Sequence, residues 1–134
     1  MLKIKAIDHI NMNVLNFKES EEFYKELFGM TLLEDGKSAK SGNPFKVIGI
    51  PNKVALCLYE VDEISFNTAP IAHFGLNIDN YSEIESILEE QNIGILYGGE
   101  IPWKSSSSIY LKDPSGHEIE LTKNFAGGLK CMDS

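Results

Sequence analysis

His9-Ile-Asn-Met-Asn-Val-Leu-Asn16 returns 64 residues later as His73-Phe-Gly-Leu-Asn-Ile-Asp-Asn80, with the histidine and two asparagines in the same places. In each stretch alternate positions are apolar: Ile10, Met12 and Val14, then Phe74, Leu76 and Ile78. A period of two is the mark of a half-buried strand. His9, Asn11 and Asn13 therefore share one polar face, and His73, Gly75 and Asn77 share its counterpart. Similarity at a fixed offset points to a duplicated structural unit, so the 134 residues are read as two copies of one pattern.

Outward from these strands, Asn16 with Glu19 and Asn80 with Glu83 have the spacing of a capping box, which starts a helix. Gly29 and Gly94 are expected to stop the two helices, because glycine accepts the left-handed conformation at a helix end. Phe17, Phe23, Tyr24, Leu27 and Phe28 face one side of the first helix, and Ile84, Ile87 and Leu88 one side of the second. The charged residues between them read as solvated faces. Three strands are predicted after each helix: Thr31–Glu34, Phe45–Ile50 and Val54–Tyr59, then Ile95–Tyr97, Ser107–Lys112 and Glu118–Thr122. Their last two meet at a proline turn, Ile50-Pro-Asn-Lys53 or Asp113-Pro-Ser-Gly116. Superposing Pro51 on Pro114 pairs Leu56 with Ile119, Cys57 with Glu120 and Leu58 with Leu121. The class is α+β, with two βαβββ modules in one domain, 1–134. Module 1 spans 1–60, a linker 61–70, module 2 71–124 and a tail 125–134. Asp35–Pro44 and Gly98–Ser106 read as surface loops.

Composition narrows the function. Twelve basic and 20 acidic residues leave a net charge of −8, which repels phosphate backbones and anionic lipid, so neither nucleic acid nor membrane is an expected partner. No apolar run reaches the ~18 residues of a membrane span. The first eight residues enter a strand-like pattern with no signal-peptide core, and the two cysteines, Cys57 and Cys131, make no disulfide framework. A reduced, cytoplasmic setting is expected.

The polar strand faces carry the chemistry. By parity His9, His73 and Glu120 all lie opposite the apolar face, and they converge if the two copies pair their sheets into a cup. Two imidazoles and a carboxylate can hold a divalent first-row metal and leave positions open for substrate. Two of the three histidines in the chain sit at matched positions. The third, His117, has the parity of Ile119 and Leu121 and is left out of the site. An inward Glu120 between apolar neighbours also needs a charge partner.

The pattern resembles the vicinal oxygen chelate superfamily, which includes glyoxalase I, fosfomycin-resistance thiol transferases, extradiol dioxygenases and bleomycin-resistance proteins. The similar segments are Ile7–Val14, the helix Ser20–Met30 with its Phe-Tyr-x-x-Leu-Phe-Gly-Met run, Ala72–Ile78, and Ser108–Leu121 with Asp-Pro-Ser-Gly-x-x-Ile-Glu-Leu. The resemblance implies a half-barrel cup of paired βαβββ modules around one metal held by His9, His73 and Glu120. Mn, Zn, Ni and Fe are not distinguished. Cys57 stands where glyoxalase I-like proteins have an acid/base glutamate; its thiol either binds a soft metal such as Zn(II) or, the reading we favour, is a small filler bordering the substrate. Extradiol enzymes require a histidine about seven residues before the residue matching Tyr110, and Ile101, Pro102 and Trp103 occupy that zone.

The three-ligand pattern is most similar to the fosfomycin-resistance branch, where hydroxyl residues match Ser108 and Tyr110. That branch has a threonine where Asn11 stands, and its phosphonate-binding cations have only Lys104 and Lys130 near their places. Asn11 and Tyr110 are the candidate catalytic residues. Cys57, Tyr59, Trp103, Lys104 and Ser108 are the candidate substrate contacts, with Trp103 either shaping the ligand space or tucked against the surface. The expected activity is metal-dependent thiol transfer or isomerisation on a small oxygen-chelating substrate, with a thiol cosubstrate in the first case. The alternative is a metal-free sequestering protein of the bleomycin-resistance kind. Exposed sheet edges lead us to expect a homodimer.

Overall fold

Alternation in the segment before Asn16 becomes a short strand, β1 (Ile10–Val14), with Met12 and Val14 buried and Asn11 and Asn13 exposed. The computed structural model describes residues 1, 3–67 and 71–128. The chain divides into two units, Met1–Ser65 and Phe66–Ser134, each built on its own sheet. Lys130, Cys131 and the rest of the tail beyond 128 lie outside the described residues, as does the end of the linker at 68–70.

In the first unit β1 leads into α1 (Phe17–Phe28), β2 (Thr31–Lys37), β3 (Pro44–Ile50) and β4 (Val54–Glu60). Asn16 is extended, and its Oδ1 accepts the Glu19 N–H at 2.9 Å, satisfying a donor that the helix itself leaves unpaired. Glu60 at the end of β4 accepts the Phe17 N–H at 2.9 Å. Gly29 ends the helix at φ +70° with its N–H on the Lys25 carbonyl, 2.9 Å away. The sheet order is β1-β4-β3-β2, with β1 parallel to β4 and the other pairs antiparallel. Tyr24, Met30, Ile48, Leu56 and Leu58 complete the core of this unit.

The second unit repeats the plan with β5 (His73–Asn77), α2 (Ile84–Glu90), β6 (Ile101–Pro102), β7 (Ser107–Lys112) and β8 (Glu118–Thr122). Its order is β5-β8-β7-β6, so both modules are βαβββ as the repeat implies. Register repeats as well. Ile10 lies beside Leu56 and Asn11 beside Cys57 in one unit, and Phe74 beside Ile119 and Gly75 beside Glu120 in the other. The alignment through the two prolines is thus the alignment of the strands. Among the described residues no helix is long and apolar enough to cross a membrane.

Four local expectations are corrected. Asn80 does not cap its helix through the backbone: its Nδ2 donates to Glu83 Oε2 at 2.7 Å, and a 3₁₀ turn at Tyr81–Glu83 precedes α2. Gly94 is not the helix stop either. The helix ends at Glu90, and Asn92 takes the left-handed conformation at φ +56°, which asparagine tolerates better than most residues. The strand expected at Ile95–Tyr97 is a 3₁₀ turn at Leu96–Gly98. Tyr97, Gly98 and Gly99 all have positive φ, so pairing is delayed to Ile101. The loop expected at 35–44 is shorter, because β2 runs to Lys37 and β3 starts at Pro44.

The two asparagines, equivalent in sequence, should therefore differ in worth. Asn16→Ala is expected to cost about 1 kcal/mol, and Asn80→Ala less than about half of that, since no backbone donor is lost. Urea unfolding midpoints of the two variants check the contrast.

Candidate functional site

Strand alternation sends Ile109, Leu111, Ile119 and Leu121 to one face of the second sheet and Ser108, Tyr110, Glu118 and Glu120 to the other. β5 runs parallel to β8 with His73 beside Glu118. Gly75, next along that face, has no side chain to come between His73 and Glu120. The imidazole Nε2 stands 3.0 Å from Glu120 Oε1, and Nδ1 stands 3.6 Å from Glu118 Oε2, an ion-pair separation rather than a hydrogen bond.

Glu120 is engaged on its other side too. Its Oε2 accepts the Ser108 hydroxyl at 2.7 Å, and Ser108 Oγ accepts the indole N–H of Trp103 at 2.9 Å. Ser108 is fully buried, with donor and acceptor both used within the unit. Trp103 is half exposed, so the indole edge is tied down while the ring remains open to solvent. Tyr110 lies directly across the ladder from Glu120. Its ring meets the His73 imidazole edge-on at 5.8 Å and the Tyr97 ring at 5.3 Å. The Tyr97 hydroxyl donates to Glu118. Burial, helped by the charge and hydrogen bonding of Glu120, pushes the Tyr110 phenol up to about 12. It is a proton-bearing donor across the physiological range.

The first unit is the poorer half. His9 precedes β1, is half exposed, and has Nδ1 2.7 Å from Asp8 Oδ2. Where the second unit has Ser108, Tyr110 and Glu120, the same offset gives Phe45, Val47 and Cys57. Cys57 sits beside Asn11 and opposite Val47. Burial, then the charge of Glu34, raises its thiol pKa, leaving a protonated sulfur of low reactivity. Tyr59 packs on Phe45 at 5.9 Å.

Of the residues singled out in the sequence, the structure gathers His73, Glu120, Ser108, Tyr110 and Trp103 in one cluster of the second unit. Asn11 and Cys57 are neighbours in the first, and Lys104 is exposed. Glu118 and Tyr97 belong to the cluster and were not anticipated. Glu118 shares the parity of Glu120 and was legible on that ground; Tyr97 was hidden by its assignment to a strand.

Within either unit by itself, no three described His, Cys, Asp or Glu side chains are arranged to hold a metal ion. The pair in the second unit nonetheless suits one. Imidazole and carboxylate are donor types that a divalent first-row metal takes, and His73 Nε2 and Glu120 Oε1 stand together on one face, 3.0 Å apart at hydrogen-bond distance. Metal-binding histidines direct their other ring nitrogen to a carboxylate or carbonyl. Nδ1 of His9 meets Asp8 in this way at 2.7 Å, while Nδ1 of His73 faces Glu118 at 3.6 Å, beyond hydrogen-bond distance.

Residues 6–121 match the Glyoxalase/Bleomycin resistance protein/Dioxygenase superfamily. The chain belongs to this superfamily. It is similar to the metallothiol transferase FosB of Staphylococcus epidermidis, 31% identical over 123 residues that cover 88% of this chain and 83% of the relative. The fosfomycin resistance protein FosX of Listeria monocytogenes superposes with a TM-score of 0.72 at 19% identity, over 92% of this chain and 97% of that one. Lactoylglutathione lyase from Agrobacterium tumefaciens superposes with a TM-score of 0.66 at 19% identity, over 90% and 95%. At such identities the superpositions speak for the glyoxalase-like fold, and the FosB match supports the fosfomycin-resistance branch.

Two tyrosines give this unit a signature at high pH. Burial raises Tyr81 to about 12 as well; Glu100 adds to the rise, against a lowering hydrogen bond with Ser107. A phenol with pKa raised in the folded state contributes stability that is whole below pH 10 and lost as pH climbs toward 12. The unfolding free energy should therefore fall between pH 10 and 12, and less steeply in Tyr81→Phe. Urea melts at pH 9, 10 and 11 test this.

Proposed function

We propose that this protein is a divalent-metal-dependent enzyme of the glyoxalase and fosfomycin-resistance type, and that its reaction is the transfer of a thiol to a small electrophile bearing chelating oxygens. The observation that carries the reading is the close approach of His73 Nε2 and Glu120 Oε1, with Ser108 fixing the carboxylate. One metal ion per chain, held by His9, His73 and Glu120, is part of the proposal, as is the joint action of both modules as one domain.

When bound, a divalent ion would act as a Lewis acid, stabilising negative charge that develops on a substrate oxygen. The side chains do the rest. Ser108, buried and fed by Trp103, orients Glu120 instead of meeting substrate. Tyr110 keeps its proton and can donate a hydrogen bond to the substrate oxygen. Trp103 offers its open ring as a wall, and Asn11 an amide on the face of β1 that carries His9. Cys57 and Tyr59 border that side with a small and a large surface, and Lys104 supplies a cation on the loop after β6. A thiol is the natural nucleophile, since a thiolate is both potent and accessible near neutral pH. A protonated, raised-pKa Cys57 is not suited to be that nucleophile, so the thiol must come as a cosubstrate. We further propose a cytoplasmic homodimer.

Elemental analysis of protein purified without chelator is expected to show about one divalent ion per chain. His73→Ala should lose that ion with its circular dichroism unchanged. Loaded protein should consume a low-molecular-weight thiol in the presence of fosfomycin or another small epoxide, and Tyr110→Phe should slow this by about 10²-fold, the lower range for a lost proton donor. Ligand binding that persists in excess chelator, with no metal taken up, would instead select the sequestering function.

A further inference from the structure

We infer that Glu118, pinned by the hydroxyl of Tyr97, is a positioning residue that holds Nδ1 of His73 so that Nε2 is presented beside Glu120. The inference rests on the proposed metal reading for its functional consequence, and on the geometry of the second unit for its structural content.

Three observations meet at this residue. Glu118 lies beside His73 in the parallel ladder between β5 and β8, on the same face as Glu120. Its side chain is only 19% exposed, and its Oε2 stands 3.6 Å from Nδ1 while Glu120 Oε1 stands 3.0 Å from Nε2. The imidazole is thus placed with one carboxylate at each nitrogen. Tyr97 donates to Glu118 Oε1, leaving Oε2 toward the ring. Tyr97 also packs edge-on against Tyr110, which packs edge-on against His73, so hydroxyl and ring secure the same ensemble from two sides. Tyr97 does this from a left-handed backbone position, φ +59°, a conformation costly for a bulky residue.

The chemistry explains why such a holder is useful. A neutral imidazole has one nitrogen with a proton and one with a lone pair, and only the latter binds a cation. Without a cation the nearer carboxylate, Glu120 at 3.0 Å, takes the Nε2 proton; when Nε2 turns its lone pair to a cation the ring proton must sit on Nδ1, and there Glu118 faces it. In the first unit Asp8 faces Nδ1 of His9 in the same sense, though from an exposed position. Glu118 does the job in a confined setting, where a fixed charge acts more strongly.

The test compares the parent protein with Glu118→Ala, Glu118→Gln and Tyr97→Phe. In metal-free protein, ring ¹⁵N shifts of His73 should change in Glu118→Ala, less in Glu118→Gln and least in Tyr97→Phe. Zinc affinity, measured by chelator competition, should fall about 10–100-fold in Glu118→Ala, with partial recovery in Glu118→Gln, which keeps an oxygen acceptor. Ring signals identical to those of the parent in Glu118→Ala would overturn the inference, and so would an unchanged zinc affinity. If Glu118→Ala fails to fold, the same two readings on Glu118→Gln and Tyr97→Phe decide. Should the parent bind no divalent ion while the ring signals still respond, the proposed function falls and the hold of Glu118 on His73 stands.

Discussion

A carboxylate taken largely out of water is tolerated only where its lone pairs are filled, and Glu120 is where this protein meets that condition. Its side chain is 18% exposed. One oxygen takes the imidazole of His73, the other takes the Ser108 hydroxyl, and the Tyr110 phenol lies across the ladder. Each donor is itself held. Ser108 has the indole of Trp103, Tyr110 has the rings of His73 and Tyr97, and His73 has Glu118 at its second nitrogen. Networks satisfied this fully are rigid, and rigidity is what a site needs before anything binds. The same tight setting keeps the Tyr110 proton in place, because an anionic phenolate beside Glu120 would add a second negative charge in a half-dry space.

Duplication supplies the scaffold twice but the chemistry unequally. Both units have the same strand order and the same register, with a histidine just before β1 in one and at the first position of β5 in the other. At the positions that make the second unit polar, the first has Phe45, Val47 and Cys57. An apolar replacement removes the cost of burying a charge, so this module needs no network to be stable and keeps only an imidazole with its exposed Asp8. The halves differ accordingly: the second module holds an oriented carboxylate with its hydrogen-bond donors, and the first an exposed histidine and the exposed amide of Asn11.

Much of this was legible in the residues because a repeat supplies its own control. Period-two alternation identified β1 and β5, and the prolines aligned β4 with β8 to the residue. Parity alone placed His73 and Glu120 on one face. What escaped depends on tertiary context. Asn80 and Asn16 have identical local signatures, yet only Asn16 caps, because a 3₁₀ turn intervenes after Asn80. Ile95-Leu-Tyr97 has strand composition, but the glycines that follow let the chain turn left-handed and deliver Tyr97 to Glu118. Nothing in the spacing announces that Trp103 reaches Ser108, since such a contact is set by the path of a loop.

The most family-like stretch of the chain, Asp113-Pro-Ser-Gly116, is explained by folding rather than by chemistry. Asp113 is buried and its Oδ1 accepts the N–H groups of Ser115 and His117 at 2.9 and 2.8 Å, the side chain standing in for backbone acceptors. Gly116 turns at φ +97°, with the ring of Phe66 so near that a Cβ would lie 3.1 Å from it. Phe66 also packs edge-on against His117, 5.2 Å away, which gives the third histidine a place in the turn and keeps it from the cluster. The turn sets how β8 returns along β7, and a slip of one residue there would exchange the two faces of β8. Ile119 and Leu121 would then face the imidazole, and Glu118 and Glu120 would enter the apolar core. The position of the donor atoms around His73 is therefore decided at a turn that touches none of them, by one aspartate filling two backbone valences and one glycine free to adopt positive φ.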